Sequence, residues 1–402
     1  MERLANIQKC TGCMSCYNAC THKAISMKEN EEGFCYPFID EIKCVQCGLC
    51  TKRCPELHNR ETENKYIRPK IYAIVNPLDA KNSSSGGAFS FIARMILAEG
   101  GIVYGATMDA NGIVYHTSIE SIHELGKLQG SKYVQSYIGG CLKEIRHYLL
   151  NGRKVLFVGT GCQVAGLYSY LSKKYEGLLY TIDLICHGVP SNKTFVSYIN
   201  KIREKRNLGD ALLEEFGFRK LDGWAICPSI KFTKSKKIYL ENSENAFMNS
   251  FFKGILFRES CYHCSYCNTE RIGTFTIGDF WGIGKHGISY KHDVGRGVSL
   301  LIDNKGLLST FDLADIFIEE RPFEEAIFEQ DNLKSPMKRN PLRDIAIKNL
   351  MDPNISLELY CNRVHILNKK TILSRISIWI KHFLLNVGLF NLYKEIQYKY
   401  LK

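Results

Sequence analysis

The spacing of apolar positions changes along the chain, and each change predicts an element. In "KNSSSGGAFSFIARMILAEGG", Phe89, Ile92, Ala93, Ile96 and Leu97 recur at helical spacing. "SSSGG" stands before that helix, and Gly100-Gly101 closes it in the usual C-terminal fashion. "IYAIVN" reads as a short strand, while "IVYGATMD" and "IVYHTSI" read as strands separated by a turn at Asn111-Gly112. "RKVLFVGTGCQVAGLYSYL" is a buried strand, a Gly-rich turn and a helix beginning near Gln163. "LYTIDLIC" is the next strand, followed after "HGVPS" by the helix "NKTFVSYINKIREKR". "FTIGDFWG" and "GVSLLIDNKG" supply later strands and turns, and the strand–helix–strand order predicts a mostly parallel α/β body. Nearer the N-terminus, "AISMKENEEGFCYPFID" reads as a small hairpin with Gly33 near its turn. The expected fold class is α+β / α/β: a small N-terminal module, an α/β body and a helical tail.

A chain of 402 residues exceeds one ordinary core, so two or three domains are expected. The apolar fraction of 45% and charged fraction of 23% are those of a soluble globular protein. "MERLANIQKC" lacks the features of a signal peptide, and no run approaches the ~18 apolar residues of a spanning helix. A cytoplasmic location is therefore expected. The net charge is +12, yet no recognition motif and no basic run interleaved with aromatics points to nucleic acid as a partner. "ELHNRETENKYIRPK" reads as a linker. The final "ILSRISIWIKHFLLNVGLFNLYKEIQYKYLK" is aromatic, apolar and basic. It suits docking on the protein's own core or a partner, or peripheral membrane contact through amphipathic helices.

Seventeen cysteines in a chain this long do not suit a secreted disulfide scaffold, which is normally short, and their clustered runs fit a reducing compartment better. Their spacing changes the picture most. "CVQCGLCTKRCP" places Cys44, Cys47, Cys50 and Cys54 in the C-x2-C-x2-C-x3-C-P run of bacterial ferredoxins, and "CTGCMSCYNAC" repeats it at Cys10, Cys13, Cys16 and Cys20 without the proline. In that pattern three cysteines hold one [4Fe–4S] cube and the fourth holds its neighbour. One cluster is expected on Cys10, Cys13, Cys16 and Cys54, the other on Cys44, Cys47, Cys50 and Cys20. Gly12 and Gly48 suit the positive φ or close backbone approach of a loop wrapping a cube. A zinc site would need only one set of four ligands, usually as spaced pairs.

Further cysteines stand at Cys162, in a turn after a strand, at Cys186, ending the next strand, and in "CYHCSYC" at Cys261, Cys264 and Cys267. Neighbouring parallel strands deliver their carboxyl ends to one sheet edge, where ligands bind in open α/β sheets. By spacing alone these residues would close a third cubane or pack as small buried hydrophobes. His187 and His263 adjoin them as alternative ligands.

"SSSGGAF", "GSKYVQS", "GTGCQVAGL", "DLICHGVPS", "RESCYHC" and "TIGDFWGI", in this order, resemble the coenzyme F420 hydrogenase/dehydrogenase beta-subunit family over roughly residues 70–310. The resemblance implies an iron–sulfur flavoprotein with a further [4Fe–4S] cluster on Cys162, Cys186, Cys261 and Cys264, leaving Cys267 spare. It also implies FAD or FMN, with candidate contacts at Ser84, Ser85, Gly86 and Gly87, where helix-start N–H groups suit a phosphate. Gly130, Ser131, Lys132, Gly278 and Asp279 are further candidates. An N-cap and turn is the structural alternative for "SSSGG". No catalytic acid or base stands out.

The domains expected are a ferredoxin-type module over 1–60, family N-terminal-like and C-terminal-like domains over 70–152 and 153–350, and a basic tail over 360–402. The function implied is an oxidoreductase passing electrons between the clusters and a flavin that acts on a deazaflavin or other small-molecule acceptor. Its redox partner would be a ferredoxin or another electron donor or acceptor subunit. The alternatives are a relay subunit without its own catalysis and an accessory protein of surface polysaccharide synthesis.

Overall fold

The computed structural model describes residues 4–58, 68–219, 227–284 and 297–366. The tail expectation thus falls almost wholly outside the described residues, as does most of the linker. Among the described residues no helix is long and apolar enough to cross a membrane.

Strands β1 (Ile25–Glu29) and β2 (Cys35–Ile39) form the expected antiparallel hairpin, with Gly33 at φ +82° in its turn. The body is built on eight strands: β3 (Lys70–Val75), β4 (Ile102–Met108), β5 (Val114–Ile119), β6 (Val155–Thr160), β7 (Leu179–Leu184), and three that follow a separate small sheet. The small sheet comprises β8 (Leu213–Gly217), β9 (Ser229–Phe232) and β10 (Ile238–Tyr239). The remaining strands of the large sheet are β11 (Phe275–Asp279), β12 (Ser299–Asp303) and β13 (Phe317–Arg321). Its order is β13–β3–β12–β11–β7–β6–β4–β5.

The four central strands β11, β7, β6 and β4 are mutually parallel, as the strand–helix order predicts. Both flanks are antiparallel: β5 on β4, β12 on β11, and β3 between β12 and β13. The sheet is therefore mixed rather than mostly parallel. The β4–β5 connection is short enough for a hairpin, with Asp109 Oδ1 accepting from the N–H groups of Asn111 and Ile113 and Gly112 at φ +82°.

Side-chain alternation explains why both faces are covered. Val155 and Phe157 of β6, with Ile102 and Tyr104 of β4, point to one core; Leu156, Val158 and Val103 point to the other. Helix Ala88–Ala98 covers the second through Phe91, Ile92 and Ile96. Helices Cys141–Leu150 and Gly161–Leu171 cover the first, through Leu142, Ile145, Leu149, Val164 and Leu167. Met14 and Ala19 of the N-terminal module belong to that same core.

The module is bolted to the body by specific polar contacts. Asn18 Nδ2 donates to Gly139 O (2.9 Å), Ser169 Oγ to Arg53 O (3.0 Å), and Tyr266 Oη to Glu56 Oε1 (2.7 Å). Buried Arg343 holds both carboxylate oxygens of Glu32 at 2.7 Å, the planar two-bond geometry that makes such pairs strong.

His116 on β5 lies within the first core. Its Nε2 meets Val158 O at 2.9 Å and its ring stacks on Phe157. Burial, with Lys132 adding repulsion, lowers its pKa to about 4. An unfolded histidine titrates near 6.5, so the unfolded chain binds the extra proton first and stability falls as pH drops through that window. Between pH 7 and 5.5 this amounts to about 1 kcal/mol. We expect the stability gap between wild type and His116→Gln, measured by denaturant unfolding, to shrink by about that amount over this range. A gap independent of pH would show that His116 is not neutral in the fold.

Candidate functional site

The two cysteine runs fold with the same local geometry. In each, the second and fourth residues after the first cysteine are left-handed: Gly12 and Met14 in the first run, Gln46 and Gly48 in the second. A short helix then follows, Ser15–Ala19 or Leu49–Lys52. Gly12 and Gly48 thus have the positive φ expected of them. Met14 and Gln46 share it despite their β-carbons, which composition alone does not reveal. Gly12 also admits close approach, since a β-carbon there would lie 2.9 Å from Gln135 Nε2 and 3.1 Å from Arg258 Nη1.

The runs enclose two cavities. Cys10, Cys13, Cys16 and Cys54 line the first, together with Met27, Pro37 and Glu56. Cys20, Cys44, Cys47 and Cys50 line the second, together with Ile25 and Ile39. The fourth cysteine of each run stands in the wall of the other cavity. Among the described residues no three His, Cys, Asp or Glu side chains converge closely enough to hold a single metal ion. The thiols instead stand around a space.

Burial separates the two cavities. Cys10 and Cys13 are buried, whereas Cys47 is exposed. Burial pushes the Cys16 thiol up to about 12, and Cys10, Cys54 and Cys50 add to the rise. Cys13 is pushed well above the usual thiol range by burial, with contributions from Cys16, Cys10 and Cys162. That last influence links the module to the body. A β-carbon on Gly166 would lie 2.7 Å from Cys13 Cβ and 2.9 Å from its Sγ, so Cys13 sits directly on helix Gly161–Leu171.

That helix starts at Gly161, two residues before the expected Gln163, because Thr160 and Gln163 form a reciprocal capping box. Cys162 is therefore in its first turn, and Thr160 Oγ1 lies 3.1 Å from its Sγ. A β-carbon on Gly161 would meet Tyr266 Cβ at 2.9 Å. The glycine thus lets the "CYHCSYC" segment close over the helix start. Cys186 follows β7, and Cys261 and Cys264 lie in and just after the 3₁₀ turn Glu259–His263.

The cysteines expected at a third site fall within mutual electrostatic reach. Burial raises Cys162, with Cys264 and Cys186 adding, and pushes Cys186 up to about 11, with Cys264 adding. Burial likewise raises Cys261, with Cys186, Cys264 and Cys162 contributing. Cys264 departs from this pattern: the hydrogen bond from Cys267 holds it below the usual thiol range, while Cys267 itself is pushed up by that bond. Cys267 is buried and its Sγ also meets Cys186 O at 3.7 Å, so five thiols crowd this place. The adjoining histidines stand differently. His263 is exposed, and His187 is held at Nδ1 by Asn332 among Phe251, Phe252 and Phe257.

The nominated flavin contacts divide into two groups. Ser85 Oγ donates to Val298 O (2.9 Å), Gly86 is wedged against Ile74 O and Ser299 N, and Gly87 caps helix Ala88–Ala98 at φ +88°. These three shape the turn. Ser84 and Asp279 instead meet at Arg219, whose Nη1 donates to Asp279 Oδ2 (2.6 Å) and Ser84 O (3.2 Å). The guanidinium lies 5.4 Å from the Trp281 ring centroid. Ser131 N donates to Ser84 Oγ (2.8 Å), and Lys132 Nζ to Gln129 O (2.8 Å). Gly130 is at φ +77°, and Gly278 packs on Ile185.

Arg219 is buried, and its Nε and Nη2 have no hydrogen-bond partner among the described residues. It is the residue that sequence reasoning missed here; in "FGFRK" nothing distinguishes it from an ordinary basic residue. Asp279 ends β11, beside the β7 and β6 ends that carry Cys186 and Cys162, so these groups share the carboxyl edge of the parallel strands.

Residues 9–57 match the 4Fe-4S dicluster domain, and residues 152–304 match the C-terminal region of the coenzyme F420 hydrogenase/dehydrogenase beta subunit. No curated protein matches the chain. Among solved structures, a chain of the xenon-derivatised F420-reducing [NiFe] hydrogenase complex from Methanosarcina barkeri is similar at 16% identity. That match covers 80% of this chain and 96% of that one, with a TM-score of 0.43. The chain thus carries a 4Fe-4S dicluster domain over residues 9–57 and, over residues 152–304, a domain of the kind found at the C terminus of the coenzyme F420 hydrogenase/dehydrogenase beta subunit.

Proposed function

We propose that this protein is an iron–sulfur flavoprotein subunit that moves electrons between a partner protein and a flavin at the sheet edge. The proposed ligand sets are Cys10, Cys13, Cys16 and Cys54; Cys20, Cys44, Cys47 and Cys50; and Cys162, Cys186, Cys261 and Cys264. The observation carrying this reading is their order in space. The exposed Cys47 set adjoins the buried Cys10 set, and Cys13 of that set touches the helix whose first turn bears Cys162.

The donor chemistry fits the group. Thiols spread around a cavity suit a cube with iron at each corner better than a single tetrahedral ion. Crowded buried thiols also resist ionising on their own, and iron supplies the positive charge that lets them do so. When bound, clusters carry single electrons, and a flavin converts these to the two-electron chemistry of a small-molecule acceptor.

The chain's own task is to order these groups and keep water from the inner ones. Arg219 would hold the flavin or its phosphate, because its Nε and Nη2, without a hydrogen-bond partner among the described residues, lie buried beside Ser84, Asp279 and Trp281. A relay subunit without flavin is the second reading. It is favoured by the structural occupation of Ser85, Gly86 and Gly87. A deazaflavin is the acceptor the family suggests, and a hydrogenase- or dehydrogenase-type partner subunit the assembly.

Three outcomes test the proposal. Cys162→Ser should lower iron by about four atoms per chain in anaerobically purified protein, and unchanged iron would reject that ligand. Arg219→Gln should weaken flavin retention by roughly tenfold or more, from loss of charge-assisted hydrogen bonds; absence of flavin from the unsubstituted protein would favour the relay instead. Gly166→Ala should displace Cys13, costing about 1–3 kcal/mol of stability and reducing iron at the first cavity. Gly140→Ala, whose β-carbon meets nothing within 4 Å, should change neither.

A further inference from the structure

Arg258 is among the largest fully buried side chains, at 1% exposure. Its Nε donates to Cys10 O (2.7 Å), its Nη2 to Cys35 O (3.1 Å) and its Nη1 to Gln135 Oε1 (3.2 Å). The guanidinium lies over the Tyr36 ring, 4.1 Å from the centroid. Nη2 also approaches Cys10 Sγ at 3.7 Å. None of these partners is a carboxylate.

Other buried arginines are paired differently. Arg343 pairs with Glu32 at 2.7 Å, Arg321 with Glu325 at 2.6 Å, Arg219 with Asp279 at 2.6 Å, and Arg271 with Asp183 at 2.5 Å. A buried cation without an anion beside it is strongly unfavourable. The group in a position to supply that anion is the thiolate set of the first cavity, which Arg258 touches through Cys10.

Burial by itself makes an added electron costly, because each reduction places more negative charge in a poorly solvated site. A fixed cation in the same low-dielectric surroundings acts in the opposite sense. The second cavity, whose Cys47 is exposed, has water and salt to screen its charge. The buried one has Arg258. We propose that Arg258 is the counter-charge of the first cluster and raises its reduction potential, so that the inner site accepts an electron from the outer one. This rests on the reading that the first cavity holds a cubane.

The experiment is an anaerobic dithionite titration of the full chain, followed by electron paramagnetic resonance together with iron analysis. The signal of the first cavity is the one that Cys13→Ser alters. Arg258→Gln is expected to move that signal to more negative potential and leave the others in place, and Arg258→Lys to move it less. Gln135→Glu, which sets a carboxylate against Nη1 with little change of volume, is expected to produce a negative shift as well. An unmoved signal in Arg258→Gln and Gln135→Glu at full iron content would overturn the proposal. So would loss of iron in Arg258→Gln alongside an unmoved signal in Gln135→Glu. Absence of iron from the unsubstituted protein would defeat the underlying cluster reading, a distinct result.

Discussion

Sulfur can be charged inside a protein only where something positive stands beside it. Burial drives the thiols of Cys13, Cys16, Cys162, Cys186 and Cys261 upward, and neighbouring thiols drive them further. Crowding of this kind is unfavourable for thiolates alone and natural for ligands of a multi-iron centre. The remaining architecture follows that constraint. Left-handed turns at Gly12, Met14, Gln46 and Gly48 curl the backbone around each cavity, and Gly161 and Gly166 remove β-carbons where loop and helix must meet sulfur-bearing segments.

The same constraint gives the body its role. A mixed sheet covered on both faces holds β6, β7 and β11 in register, and their carboxyl ends bring Cys162, Cys186 and Asp279 to one edge. The N-terminal module is packed into the core beneath that edge through Met14 and Ala19 rather than tethered to it. Docking of this kind fixes the separation between the module's cavities and the cysteines of the body. Arg258 and Arg343 reach from the body into the module, so the body also shapes the electrostatics of the module's inner cavity.

How much of this was readable depended on the range of each interaction. The crosswise placement of Cys20 and Cys54, each in the wall of the other run's cavity, was legible because the spacing within each run is local. The central strands were legible because two-faced burial leaves apolar runs, and the helices at 88–98 and 192–205 because their apolar residues, such as Phe195, Tyr198, Ile199 and Ile202, recur at helical spacing. Helix Cys141–Leu150 carried a usable signal in Leu142, Ile145 and Leu149 that was not recognised. The small sheet β8–β10 carried little, since its strands are short and β8 exposes Glu214 and Glu215. The antiparallel flanks depend on pairings between distant segments, such as β3 with β12 and β13. Arg258 lies in the recognisable "RESCYHC", yet its contact with Cys10 spans 248 residues, and no local pattern encodes it.

The central claim is that three sets of thiols each grip a four-iron centre. Its most direct test is the iron and acid-labile sulfide content of anaerobically purified protein. About twelve of each per chain is the result expected from three cubanes. About eight of each would confine the clusters to the N-terminal module, and a single zinc ion without sulfide would contradict the account altogether.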